Sequence, residues 1–176
     1  MAQQQELAGL RLALAPQIIT VTHTFPVSAS LVAAQQNLVL PTPVDPLRSY
    51  CRVNAGAGAR NNPPTGSGAK ATLNAAGDTL VVDLIGKSND TVGLAVEFQV
   101  EVFELAARPQ RIQVITGSGT VVLANPVNPL RTLLSRASFT SEGNGDCIDT
   151  YLSPDGQTLI QEQGASYYPC AYLVEF

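Results

Sequence analysis

Between Val92 and Phe103 an apolar side chain falls at every second position: Val92, Leu94, Val96, Phe98, Val100 and Val102. Gly93, Ala95, Glu97, Gln99 and Glu101 fill the places between. Only a strand puts alternate residues on one face, so the pattern predicts a half-buried β-strand of about 35 Å. The same spacing returns at the C-terminus, with Tyr168, Cys170, Tyr172, Val174 and Phe176 against Tyr167, Ala171, Leu173 and Glu175. Shorter β runs are Ile18 to Phe25, Leu38 to Leu40, Leu47 to Val53, Thr79 to Ile85, Ile112 to Ile115, Thr120 to Leu123 and Thr158 to Gln161. Gly, Pro, Asn and Asp clusters separate them, as at Gly56 to Gly68, Ser141 to Asp149 and Ser153 to Gly156. Helix is scarce. Gln3 to Leu14 carries Leu7, Leu10 and Leu14 at helical spacing, but it is short and Pro16 follows. Alone it would be marginal, and it reads as an arm that orders against a neighbouring chain.

An internal repeat organises these strands. Pro43-Val-Asp-Pro46-Leu-Arg48-Ser returns as Pro126-Val-Asn-Pro129-Leu-Arg131-Thr, with five identities and two conservative changes. Three weaker echoes keep the same order. Pro16-Gln-Ile-Ile-Thr-Val21 resembles Pro109-Gln-Arg-Ile-Gln-Val114, Gly77-Asp-Thr-Leu-Val81 resembles Gly156-Gln-Thr-Leu-Ile160, and Ala95-Val-Glu-Phe98 resembles Leu173-Val-Glu-Phe176. The reading is an all-β chain of two tandem, related antiparallel β-sandwich or barrel-like units, 16–104 and 109–176, after an N-terminal arm over 1–15. A single sandwich with recurring turn chemistry is the alternative. In each unit the two prolines fix φ and remove two backbone donors, so the segment is a corner, followed by a strand carrying Arg48 or Arg131.

Composition narrows the function. The 176 residues are 45% hydrophobic and only 14% charged, against the ~25% charged share common in globular domains. Gly (14) and Pro (12) favour turns over long helices. A net charge of −4 argues against nucleic acid and against a polybasic membrane anchor. No apolar stretch reaches the ~20 residues of a membrane-spanning helix. The segment Met1 to Glu6 has no basic region and Arg11 interrupts the apolar run after it, so no secretory signal is read and cytoplasmic synthesis is expected.

No set of residues for chemistry can be assembled. Gly86-Lys87-Ser88 lacks the first glycine of a phosphate loop, since Val81 stands there, and no helix follows. His23, the only histidine, alternates with Val21 and Phe25 and reads as structural. The carboxylates of Glu142, Asp146 and Asp149 lack the ordered pattern of a calcium loop. Asp78 and Asp83 have no visible catalytic partner, and Arg48 and Arg131 read as a duplicated salt bridge or carbonyl clamp. Neither a metal nor a cofactor is expected, and the chain is not read as an enzyme. Of three cysteines, Cys51 and Cys170 share apolar faces and read as buried, while Cys147 sits in a Gly- and Asp-rich loop. Cys147 is the candidate for an intermolecular disulfide, with a Cys147–Cys170 pair or no disulfide as alternatives.

The closing Leu173-Val-Glu-Phe176, in an acidic chain rich in Gly, Ala, Thr and Val, resembles small all-β structural proteins of tailed-bacteriophage virions. The resemblance implies a capsid decoration, cement or neck/collar subunit that resides in the virion and assembles in many copies. The expected partners are other copies of the chain, a trimer being the assumed state, and other virion proteins, without nucleic acid or membrane. The competing reading is a carbohydrate- or receptor-binding β-module of a tail fibre, with Tyr167, Tyr168 and Tyr172 as the aromatic cluster.

Overall fold

The computed structural model describes residues 16–55, 67–89, 91–141, 150–161 and 170–176. The arm bearing Leu7, Leu10 and Leu14 lies outside the described residues, as do Cys147, Tyr167 and Tyr168. What is described is almost entirely β. In the first half run β1 (Gln17–Phe25), β2 (Ser28–Val39), β3 (Ser49–Ala55), β4 (Ser67–Leu73), β5 (Thr79–Ser88) and β6 (Leu94–Glu104). In the second run β7 (Arg111–Thr116), β8 (Gly119–Val122), β9 (Thr132–Arg136), β10 (Ser138–Ser141), β11 (Thr150–Leu152), β12 (Thr158–Gln161) and β13 (Cys170–Glu175).

The halves share one strand plan. The first half forms one sheet in the order β1-β6-β3 and a facing sheet β4-β5-β2; the second forms β7-β13-β9 and β11-β12-β8. Exchanging each strand for its counterpart converts one pair of orders into the other. All ladders are antiparallel. Alternation builds the first core: Leu94, Val96, Phe98, Val100 and Val102 of β6 meet Leu80, Val82 and Leu84 of β5 between the sheets. The second unit has its own, smaller core of Leu123, Val127, Leu159, Ala171 and Leu173.

β13 joins the two units. Its central counterpart β6 has one polar face, but every residue of β13 is buried. Ala171 and Leu173 point into the second core, while Cys170, Tyr172 and Val174 belong to the first. Tyr172 reaches the interior of the first sandwich, where its hydroxyl accepts from the Leu73 N–H at 3.2 Å and donates to Cys51 Sγ at 3.8 Å. Ser135 donates to the Cys51 carbonyl at 3.0 Å. β10 then adds to the free edge of β4, with Phe139 opposite Ala69. The outer face of the second unit therefore closes the open β3–β4 side of the first.

Several expectations change. Val92 is exposed and precedes β6, because Gly93 turns the chain at φ +80°. Phe176 follows β13 and is half-exposed. Arg48 and Arg131 sit in the corners, Arg131 closing a 3-10 turn (Pro129–Arg131), not on the strands that follow. The pairing registers also realign two echoes. Glu104 and Glu175 hold the same place, so Val102-Phe-Glu-Leu105 is the counterpart of Leu173-Val-Glu-Phe176. Leu105 N–H and Phe176 N–H donate to the Arg48 and Arg131 carbonyls, each at 2.9 Å. Gln17 likewise corresponds to Gln113: they donate to the Thr42 and Asn125 carbonyls at 2.7 and 2.9 Å.

Candidate functional site

The repeated Pro-x-Asx-Pro corner is the most heavily bonded feature that both units share. Its local geometry follows from the sequence. Asp45 Oδ1 accepts from Leu47 N–H at 2.9 Å, and Asn128 Oδ1 accepts from Leu130 N–H at 3.0 Å; short Asx side chains commonly cap turns this way. Ser49 and Thr132 return hydroxyl bonds to the Asp45 and Asn128 carbonyls, both at 2.7 Å. Val44 N–H donates to Gly77 O at 2.8 Å and Val127 N–H to Gly156 O at 3.0 Å. Gly77 and Gly156 lie at φ +70° and +68°, and a Cβ on either would fall onto the carbonyl oxygen of Val44 or Val127. Glycine is the residue this approach requires.

A strand-end glutamate anchors each corner from below. Glu104 Oε1 accepts from Asp45 N–H at 3.1 Å, and Glu175 Oε1 accepts from Asn128 N–H at 2.8 Å. The cations differ. Arg48 holds Glu104 at 2.5 Å, Asp45 at 3.2 Å and the Leu105 carbonyl at 3.1 Å. Among the described residues Arg131 makes no such bridge. Glu175 instead takes Arg111 of β7, at 2.6 Å, and Arg111 also donates to the Pro126 carbonyl. The Asn128 N–H, followed by the Arg111 guanidinium, holds the Glu175 carboxyl below the usual carboxylate range. These groups are committed to closing turns, and none of them faces a second reactive group.

The other candidates are bound in the same structural manner. His23 packs edge-on against Phe25 at 4.5 Å, with Gln36 Nε2 3.2 Å from its Nδ1. Asp83 lies between Lys70 and Gln35 across three strands, at 3.0 and 2.5 Å. Asp78 accepts from Asn74 and Thr79, which keep its carboxyl low. Cys51 and Cys170 are free thiols, and burial pushes both up to about 12, which removes thiolate at neutral pH. Tyr172 is buried and so presents no surface for a sugar. Among the described residues no group of three His, Cys, Asp or Glu side chains could hold a metal ion, and no helix is long and apolar enough to cross a membrane.

Part of the accessible apolar surface recurs in both units. Ile18 and Val114 occupy equivalent strand positions and are 61 and 46% exposed. Val39 and Val122 end β2 and β8 and are 80 and 76% exposed. Leu47 and Leu130 cap the two corners at 54 and 96%. The sequence echoes held Ile18, Val114, Leu47 and Leu130 but not Val39 or Val122, and only the strand registers pair the six and show that their exposure is duplicated. Between the units, Leu47 and Leu73 face Ile112 and Val114 across a cleft of about 380 Å³ that Arg108 and Arg111 also line. Comparison of the chain with protein-family models, with curated proteins and with solved structures returns no match.

Proposed function

We propose that the protein is a structural subunit of a bacteriophage virion, a capsid decoration, cement or neck/collar component that assembles as a homo-oligomer. The observation that carries the reading is the duplicated exposure of Ile18/Val114, Val39/Val122 and Leu47/Leu130. Single exposed apolar side chains are ordinary, but the same three positions left open on both units mark surface held for association. The polar groups of both corners are spent on stabilising turns, which suits a part whose task is shape. The resemblance in composition and closing strand supplies the virion context. The reading gives the arm with Leu7, Leu10 and Leu14 a role in joining neighbours, and it leaves the chain without catalytic work.

The test is direct. Antibody raised against the purified protein should decorate intact particles at regular, repeated positions, and the chain should remain with particles through density-gradient purification. Recovery only from the soluble lysate would overturn the proposal. Retention on immobilised glycans by the isolated monomer would favour the carbohydrate-binding reading.

A further inference from the structure

We infer that one copy joins the next through its sheet edges, β2 of the first adding to β8 of the second. The inference rests on the proposed self-association and names its contact. Both strands are edges: among the described residues β2 pairs only with β5, and β8 only with β12. They hold the same place in the two units, since the Leu40 N–H donates to the Asp78 carbonyl and the Leu123 N–H to the Gln157 carbonyl, each at 2.8 Å. Those bonds fix which way the other backbone groups point, because alternate residues of an antiparallel strand turn their N–H and C=O toward the same side. With Leu40 and Leu123 turned inward, Asn37 and Val39 of β2 and Thr120 and Val122 of β8 turn theirs outward. Among the described residues none of these outward backbone groups has a partner, and all four side chains are exposed.

Open edges are commonly guarded by a charge, a proline, a covering segment or shortness. Neither β2 nor β8 contains a charged residue or a proline. β2 is long, and beyond its irregularity between Ser28 and Val32 the run to Val39 is regular. β8 is short and sets the length of the new ladder. Set antiparallel, Asn37 lies opposite Val122 of the next copy and Val39 opposite its Thr120, so the outward groups of all four residues are bonded. The same register places Val39 and the next copy's Val122, 80 and 76% exposed, on one diagonal, where each helps to cover the other. Pairing β2 with β2 of a second copy would leave Val122 bare in both chains, although its exposure matches that of Val39. Pairing the two related edges covers both. It also gives the contact a direction: each copy offers β2 to one neighbour and β8 to the other, and such head-to-tail contacts close into rings, odd-numbered ones included.

Blocking one edge at a time in the full chain tests this. Asn37→Pro and Thr120→Pro each remove an outward N–H that the chain's own ladders do not use, a place where an edge strand tolerates proline. Asn37→Lys and Thr120→Lys put a charge on the same exposed positions and serve if a proline disturbs folding, which the urea midpoint reports. Each blocked chain alone should lose self-association about tenfold or more, as for the loss of one or two bonded contacts. An equimolar mixture of the β2-blocked and β8-blocked chains should form a one-to-one dimer and no larger species, because only one intact edge of each kind remains. Sedimentation velocity reads both results. A β8-blocked chain that still dimerises alone would overturn the pairing of unlike edges, and so would a mixture that stays monomeric. Oligomers unaffected by either block would overturn the edges as the contact while leaving assembly standing. An unsubstituted chain monomeric at every concentration would remove both.

Discussion

Gly77 and Gly156 show how narrowly the corners are specified. Each combines a left-handed φ with a carbonyl oxygen where a side chain would begin. Gly77→Ala and Gly156→Ala should each cost about 2 kcal/mol or more, from backbone strain and the displaced carbonyl. Urea denaturation measures this, and an unchanged midpoint for either would mean that its corner is not built as described. The anchoring glutamate makes a second prediction. In the fold the Glu175 carboxyl is held below its ordinary value, chiefly by the Asn128 N–H. Near the ordinary carboxylate value the unfolded chain then binds more protons than the folded one. The stabilisation is full above the unfolded-state pKa and is lost as pH falls through the lowered folded one. Denaturation midpoints between pH 7 and pH 3 should therefore decline at the acid end, and Glu175→Gln should flatten that decline. A Gln variant with the same acid dependence would show that other carboxylates account for it.

Strands differed in how openly the sequence declared them. β6 alternates cleanly because one face is core and the other meets solvent, and its periodicity was readable residue by residue. β13 has the same spacing, yet its expected outward face, Ala171 and Leu173, is buried in the second core. Its residues do not say that a second layer covers them. β2 was legible only at Leu38 and Val39, because Ser28, Ala29, Ser30, Ala33 and Ala34 are weak strand formers that edge pairing with β5 organises. β4 was hidden for a related reason: Gly68, Ala69 and Ala71 carry little hydrophobic signal, and their small size permits close packing. The candidate site divided similarly. The corner prolines and Arg48 stood out, whereas Glu104, Glu175 and Arg111 act through strand pairing across 56 to 64 residues, beyond any local pattern. Tyr172 is the sharpest element-scale prediction. Tyr172→Phe keeps the ring but removes the acceptor of the part-buried Leu73 N–H, which should cost about 1 kcal/mol. A neutral substitution would mean that the hydroxyl does not pin the units together.

The whole molecule is two related sandwiches that cannot be separated without opening a core. Cys170, Tyr172 and Val174 complete the first interior, and β10 covers the edge of β4. Chemical denaturation should therefore give one cooperative transition with coincident probes in both units, and the first unit alone, residues 16–107, should not unfold cooperatively. Two separated transitions would show independent units. The two units differ in the face that each presents to a neighbour. The face of the second unit that plugs the first is apolar, while the equivalent face of the first carries Arg52, Asn54, Gln99 and Glu101, with Arg52 bonded to Glu101 and standing over Phe103. That polar face could not repeat the same contact, so the proposed association between chains would use other surface. In the proposed assembly the recurring Ile18/Val114, Val39/Val122 and Leu47/Leu130 positions supply that surface. Sedimentation velocity of the purified full chain over a range of concentrations tests the account at its centre: a single defined oligomer, expected to be a trimer, is predicted, and a monomer persisting at tens of micromolar, which means an association free energy of roughly −6 kcal/mol or weaker, would contradict it.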